Sequence, residues 1–184
     1  LALARSHGAL TRADEVLTGF GKPGRNFASD SLKEGPDIIC LSKSLTAGVA
    51  PMALTCCSQN VFDAFYDKEV SKGFFHGHTY SANPLACAAA LAGMDLLATE
   101  TIQDSIQRIA ERHLQFEAEV KKHPMVKRTR SLGVIFALDL DIETERYGNL
   151  RDRLYRFFMD QGVFLRPLGN TIYLLPPFTI TEEE

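Results

Sequence analysis

Asp37-Ile38-Ile39-Cys40-Leu41-Ser42-Lys43 is an apolar run that ends on a lysine. A continuous run of this kind, without alternation, suits a parallel strand buried on both faces. It predicts a strand whose carboxyl end delivers Lys43. An unpaired ammonium in such surroundings is costly and tends to lose its proton. Only the neutral amine attacks a carbonyl, so the position suits a Schiff-base lysine. Taken alone, the same residue also reads as a surface lysine at a strand end.

Upstream, Ala9-Leu10-Thr11-Arg12-Ala13 predicts a short strand ending at Asp14-Glu15, and Asp14 stands 29 residues before Lys43. Arg12 is an unexpected charge in a strand of this type. Ligands of open α/β sheets bind outside the carboxyl ends of the strands. An aspartate and a lysine at two such ends can face one ligand. A pyridoxal ring needs that pair: an amine for its aldehyde and a carboxylate for its ring nitrogen. On its own, Asp14 reads as a turn cap. Gly19-Phe20-Gly21-Lys22-Pro23-Gly24 formally matches a dinucleotide-binding GxGxxG. Pro23 breaks the required entry into a helix and no apolar helical period follows, so that reading is rejected.

Downstream, Ala53–Cys57 is a third strand candidate and Gln59–Tyr66 a short helix. Asn83 caps a helix that begins at Pro84. That helix is alanine-rich through Ala98 and should pack closely on several sides. The loop His76-Gly77-His78-Thr79-Tyr80-Ser81-Ala82 brings hydroxyls and amides to this helix N-terminus, an arrangement suited to an anion. Phosphate fits better than metal, because no acidic or cysteine partner falls at ligand spacing. An ordinary helix-entry loop is the other reading. Ile102, Ile106, Ile109, Phe116 and Val120 mark one face of the next helix, with His113 at the stripe's edge. His123-Pro124 ends it. Leu132–Leu140 reads as a strand. Tyr147, Leu150, Leu154, Phe157 and Phe158 form a helical face closed by Gly162. Val163-Phe164-Leu165 and Thr171–Leu175 read as two strands joined by a turn through Pro167 and Gly169. Arg166 is placed either to clamp a carboxylate bidentately or to make a structural ion pair. A boundary near Pro124 divides a mostly parallel α/β part, 1–124, from a smaller α+β part, 125–184.

The chain has 184 residues and a net charge of −3, with no basic field to attract nucleic acid. Its most apolar run, Pro84–Ala98, carries Asp95 and is shorter than the roughly 20 residues of a membrane span. No secretory pattern opens the sequence. The four cysteines, Cys40, Cys56, Cys57 and Cys87, lack zinc-ligand spacing and read as reduced, partly buried thiols of a cytoplasmic protein. Leu1–Gly8 resembles the last turns of a helix and Thr181–Glu184 an N-terminal capping box, so a piece of a longer chain is expected.

Together these stretches resemble the class III aminotransferases, enzymes of the type I pyridoxal-phosphate fold. Ala13-Asp14-Glu15-Val16-Leu17-Thr18-Gly19-Phe20-Gly21-Lys22-Pro23-Gly24 is similar to that family's aspartate strand and loop. Asp37–Lys43 is similar to its lysine strand. Phe75–Ala90 and Gly162–Pro177 resemble the branch of the family that works in biotin synthesis. The resemblance implies the carboxyl-terminal part of the large domain plus most of a small α+β domain. It implies that Lys43 holds pyridoxal phosphate and later moves the proton, and that Asp14 pairs with the ring nitrogen. Thr79, with the backbone at His78, would contact the phosphate across a homodimer interface. Gly77 and Arg166 would bind substrate, Arg166 through a carboxylate, and Tyr173 would line the site. The implied reaction carries the amino group of S-adenosylmethionine to the ketone of 8-amino-7-oxononanoate; some relatives use lysine as donor. The alternative is another class III enzyme acting on ω-amino acids or diamines. The chain departs from the family at Arg12, and at Ala47-Gly48, where paired glycines are usual. It also lacks the family's amino-terminal portion, so the 184 residues alone are expected to be inactive.

Overall fold

The computed structural model describes residues 1–146 and 148–184. Tyr147, expected on a helical face, lies outside the described residues. Two compact units appear: Leu1–Gly21 with Arg25–Thr99, and Lys22–Gly24 with Glu100–Glu184. The division falls at Thr99, upstream of the boundary near Pro124 read from the sequence. The long helix that follows Thr99 packs on the strands after it, which is why it belongs to the second unit.

In the first unit, helix α1 (Ala2–Ser6) precedes a three-stranded sheet of β1 (Arg12–Asp14), β2 (Ile38–Leu41) and β3 (Leu54–Cys57), in that order. β1 runs parallel to β2, with Arg12 opposite Ile38 and Asp14 opposite Cys40. β3 is antiparallel to β2, so the expectation of a mostly parallel sheet holds for one of the two pairings. Arg12 projects from an edge strand into solvent, where a charge is tolerated and discourages further strand pairing. Helix α2 (Gln59–Asp63) is shorter than the sequence suggested. Helix α3 (Pro84–Leu97) starts where expected: Asn83 Oδ1 accepts the backbone N–H groups of Leu85 and Ala86. α3 buries only Ala86 and Ala90, although the sequence suggested packing on several sides. It packs on the short 3₁₀ turn Lys43–Thr46, and Gly93 allows the approach; a Cβ there would lie 3.2 Å from the Leu45 carbonyl. Phe20, Leu41, Leu45 and Ala90 form the core, with Phe27, Ile39, Met52 and Leu97 packed against it. Each large side chain of this kind contributes roughly 1.5–3 kcal/mol when fully buried.

In the second unit, α4 (Glu100–Val120) lays Ile106, Ile109 and His113 against an antiparallel sheet of β4 (Val126–Leu132), β5 (Ile135–Leu140) and β6 (Thr171–Leu174). His113 is buried beside Phe136, not at the edge of the stripe, and burial holds its pKa below the ordinary value. The region read as the strand Leu132–Leu140 holds β5 after a turn, Leu132 being the last residue of β4, a strand the sequence did not suggest. The chain reverses at Gly133 (φ 57°), whose missing Cβ would sit 2.2 Å from the Gly24 nitrogen. Helix α5 (Asn149–Asp160) closes as expected: Gly162 (φ 74°) donates to Met159 O and Val163 N–H to Phe158 O, a Schellman arrangement. Val163-Phe164-Leu165 does not form a strand. Leu165 N–H turns back on the Val163 carbonyl, and β6 takes β5 as its partner instead.

The four cysteines are unpaired, and Cys56 and Cys57 are exposed on β3 rather than partly buried. Among the described residues no single helix is long and apolar enough to cross a membrane. No group of three or more metal-ligating side chains converges among them either.

Asp139 ties the second sheet together. Its carboxylate receives a two-pronged grip from Arg130 (2.6 and 2.7 Å), a bond from Thr171 (2.8 Å) and one from Arg128 (3.3 Å). The Arg130 guanidinium is the main cause that brings its pKa from 3.8 down to about 2. A carboxyl depressed in the folded state stabilises the fold above its unfolded pKa and loses that contribution as pH falls through the folded value. Asp139→Asn is therefore expected to cost roughly 1–2 kcal/mol at pH 7 and to flatten the loss of stability between about pH 4 and 2. Denaturant melts of both proteins over that range measure it.

Candidate functional site

β1 and β2 are parallel neighbours, so their carboxyl ends open on the same edge of the sheet. Asp14 is the last residue of β1, and Lys43 follows the end of β2 by two residues. The pair expected from the sequence is thereby brought to adjacent strand ends. Asp14 is exposed and its Oδ1 accepts the Val16 N–H (3.1 Å), closing a local turn. Lys43 is exposed too, contrary to the buried setting inferred from its strand; burial does not single it out. Its amine takes part in no ion pair or hydrogen bond among the described residues.

What marks Lys43 is its backbone. Its φ is 45°, a left-handed conformation that is uncommon outside glycine and that clusters at functional sites. The turn it opens is held from both ends. Ser42 Oγ donates to the Met52 carbonyl (2.7 Å) and Thr46 Oγ1 to the Ala50 carbonyl (2.5 Å). Leu45 and Thr46 are buried under α3. Ala47 closes the turn, also left-handed at φ 51°.

The loop before α3 differs from the expected anion site. The N–H groups of Leu85 and Ala86 already serve the Asn83 side chain. Ser81 Oγ accepts the His78 N–H (3.1 Å), and His78 Nδ1 accepts the Tyr80 N–H (3.1 Å). The helix N-terminus is thus satisfied by its own cap. Thr79 takes part in none of these bonds and is exposed, so its hydroxyl and amide are among the loop's uncommitted donors. Gly77 is exposed beside it; a Cβ there would meet only Ser81 Oγ, at 3.8 Å. A cavity of about 920 Å³ opens next to this loop, lined by Ser42, Met52, His78, Tyr80, Asn83 and Cys87 among others. Of the expected cofactor and substrate residues, only His78 lines it. In the second unit, Arg166 is exposed and has no carboxylate partner among the described residues, so the structural ion pair is not formed. Tyr173 lies in β6 opposite Ala137 and is partly exposed.

Sequence reading passed over Glu15. It is 2% exposed, directly after Asp14. Its carboxylate accepts the Thr18 hydroxyl and the N–H groups of Ala28 (3.1 Å) and Ser29 (2.6 Å). Burial alone raises its pKa, and these donors outweigh burial, leaving it below the ordinary value. A faint signal exists in the sequence: an acid three residues before Thr18, in a loop rich in glycine.

The residues present fit pyridoxal phosphate in their chemistry. An unpaired amine and a carboxylate stand at adjacent strand ends, and an uncommitted hydroxyl and amide stand at Thr79. Comparison with known proteins agrees. A family model of class-III aminotransferases matches residues 1–184. The chain is 41% identical over 187 residues to the adenosylmethionine-8-amino-7-oxononanoate aminotransferase of Synechococcus elongatus, covering 100% of this chain and 43% of that protein. The structure of the enzyme of the same name from Methanocaldococcus jannaschii superposes with a TM-score of 0.90 at 31% identity, over 100% of this chain and 44% of that one. A PLP-bound amine transaminase from an uncultivated Pseudomonas species gives 0.88 at 35% identity, over 99% and 43%. The chain therefore has the fold of these pyridoxal-phosphate aminotransferases and spans about 43% of the length of such relatives.

Ala47 holds its left-handed backbone without being glycine. A non-glycine residue in this conformation costs about 1–2 kcal/mol, and glycine gives back part of that gain through its looser unfolded chain. Ala47→Gly is expected to raise stability by roughly 0.5–1 kcal/mol, read from denaturant melts.

Proposed function

Since the chain belongs to the class III aminotransferases, we propose that its whole protein moves an amino group from S-adenosylmethionine to 8-amino-7-oxononanoate, giving the 7,8-diaminononanoate of biotin synthesis. The observation that carries the catalytic part is the pairing of β1 with β2, which sets Asp14 and the unpaired Lys43 at neighbouring strand ends. The identity of the substrates is supported by the names of the sequence relatives, including that at 41% identity.

Pyridoxal phosphate, when bound, supplies an aldehyde that captures amines and a ring that accepts electrons. The chain's residues do the rest. Lys43 Nζ would hold the cofactor and, once displaced by the donor, would take the proton from the carbon that bears the donor's amino group; in the second half-reaction it would deliver a proton to the acceptor's carbon. The Asp14 carboxylate keeps a proton on the ring nitrogen, which preserves the ring's pull on electrons. Thr79 donates its hydroxyl and its own N–H to the phosphate of the cofactor in the partner subunit of a homodimer, because the His78 N–H is held by Ser81 Oγ. Gly77 gives backbone room for substrate, Arg166 pairs with the carboxylate of the oxononanoate, and Tyr173 lines the substrate's path. The protein works in the cytoplasm on small molecules.

A second reading has its own support: the amine transaminase neighbour is nearly as similar in fold, at a TM-score of 0.88 against 0.90. The whole protein, given S-adenosylmethionine and 8-amino-7-oxononanoate, should form diaminononanoate; failure to do so while transaminating simple amines selects the second reading. Lys43→Ala should lower turnover by at least about 10³-fold under either reading, as loss of a covalent and proton-moving group does. Stopped assays of amino transfer measure it. Arg166→Ala should raise KM for the oxononanoate by about tenfold or more and leave KM for an amine donor without a carboxylate unaffected, which steady-state kinetics with each substrate varied in turn checks.

A further inference from the structure

Among the described residues Glu15 is the only acidic side chain that is buried. Nothing in the proposed chemistry uses it, since it does not face the same side as Asp14. Consecutive residues of an extended segment point to opposite faces, and Asp14 is exposed where Glu15 is buried. Every polar group of Glu15 is nevertheless committed. Its N–H donates to the Cys40 carbonyl on β2 (2.9 Å), and its carbonyl accepts the Gly19 N–H (2.9 Å). Its carboxylate gathers Thr18, Ala28 and Ser29, closing the loop that leaves β1. Gly19 lies so near that a Cβ would come within 2.8 Å of the Glu15 carbonyl.

We infer that Glu15 is a positioning residue: by locking the loop after β1 onto one buried carboxylate and the strand end onto β2, it fixes where Asp14 stands relative to Lys43. The bond to Cys40 lies between the two strand ends, so a shift of Glu15 moves Asp14 along the lysine strand. The carboxylate suits the task because it offers two acceptor oxygens to three donors that arrive from different parts of the loop. An amide in its place turns one end into a donor that faces another donor. This inference rests on the proposed role of Asp14 at the cofactor ring.

The test titrates the whole protein with pyridoxal phosphate, following the absorption band of the bound cofactor and the pH dependence of that band. Thermal melts of the cofactor-free proteins run alongside. Glu15→Gln should weaken cofactor binding on the order of tenfold, the size seen when an outer partner of a ligating group is lost. It should also shift the band's pH midpoint in the same direction as Asp14→Asn does. Thr18→Val removes one donor and keeps the two backbone bonds; it should show a smaller shift of the same sign, and it decides the matter if Glu15→Gln does not fold. A purely structural Glu15 would lower the melting temperature but leave affinity and midpoint within twofold of the unsubstituted protein. That result, in the folded variants, overturns the inference alone. Absence of a Lys43-dependent band in the unsubstituted protein overturns the proposed function with it.

Discussion

The parallel pairing of β1 with β2 is the constraint on which the site depends. Parallel strands end on the same edge of a sheet, so two side chains far apart in sequence arrive side by side without any contact between them. Here the register puts Asp14 opposite Cys40, and the chain then needs only Leu41 and Ser42 to reach Lys43. The bond from Glu15 N–H to the Cys40 carbonyl extends that pairing one residue past the strand. An antiparallel partner would have sent Lys43 to the opposite edge. β3 is such a partner, and no candidate cofactor residue lies on it.

The backbone beyond β2 is shaped by opposing demands. Helix α3 presses on the Lys43–Thr46 turn closely enough to need Gly93. The hydroxyls of Ser42 and Thr46 pull the 50–52 segment back over it. Between these, the chain turns tightly and accepts left-handed residues at both Lys43 and Ala47. A rigid turn suits a residue that must present one amine at one place. The packed core of Leu41, Leu45 and Ala90 sits directly beneath. The stability of the core and the placement of Lys43 are therefore consequences of the same contacts.

Asp14 and Lys43 were legible because a strand end is a one-dimensional feature: an apolar run, a stop, a charged residue. Glu15 was not, because its partners Ala28 and Ser29 are backbone amides, which any sequence possesses. The strand Val126–Leu132 was missed for a related reason. Lys127, Arg128 and Arg130 give it no apolar alternation, and it is held instead by Asp139 across the ladder and by Thr129 on Glu117 of α4. The compact units divide at Thr99 and the sequence reading divides at Pro124, since His123-Pro124 marks where α4 ends, whereas packing decides which unit a helix joins. Val163–Leu165 had the composition of a strand, but β6 paired with β5 and left it without a partner.

The loop before α3 shows two sequence rules competing for the same atoms. An asparagine before a helix predicts a cap, and a helix N-terminus predicts an anion site. Both claim the first free amides, and each amide has one proton to give. Asn83 is covalently in place and pays no entropy of association, so it takes Leu85 and Ala86. An anion must then be met by donors that the cap cannot reach. Ser81 Oγ and His78 Nδ1 accept the His78 and Tyr80 N–H groups, whereas Thr79 takes part in neither bond. Cap and anion therefore draw on different donors of one loop, and the presence of the first does not exclude the second.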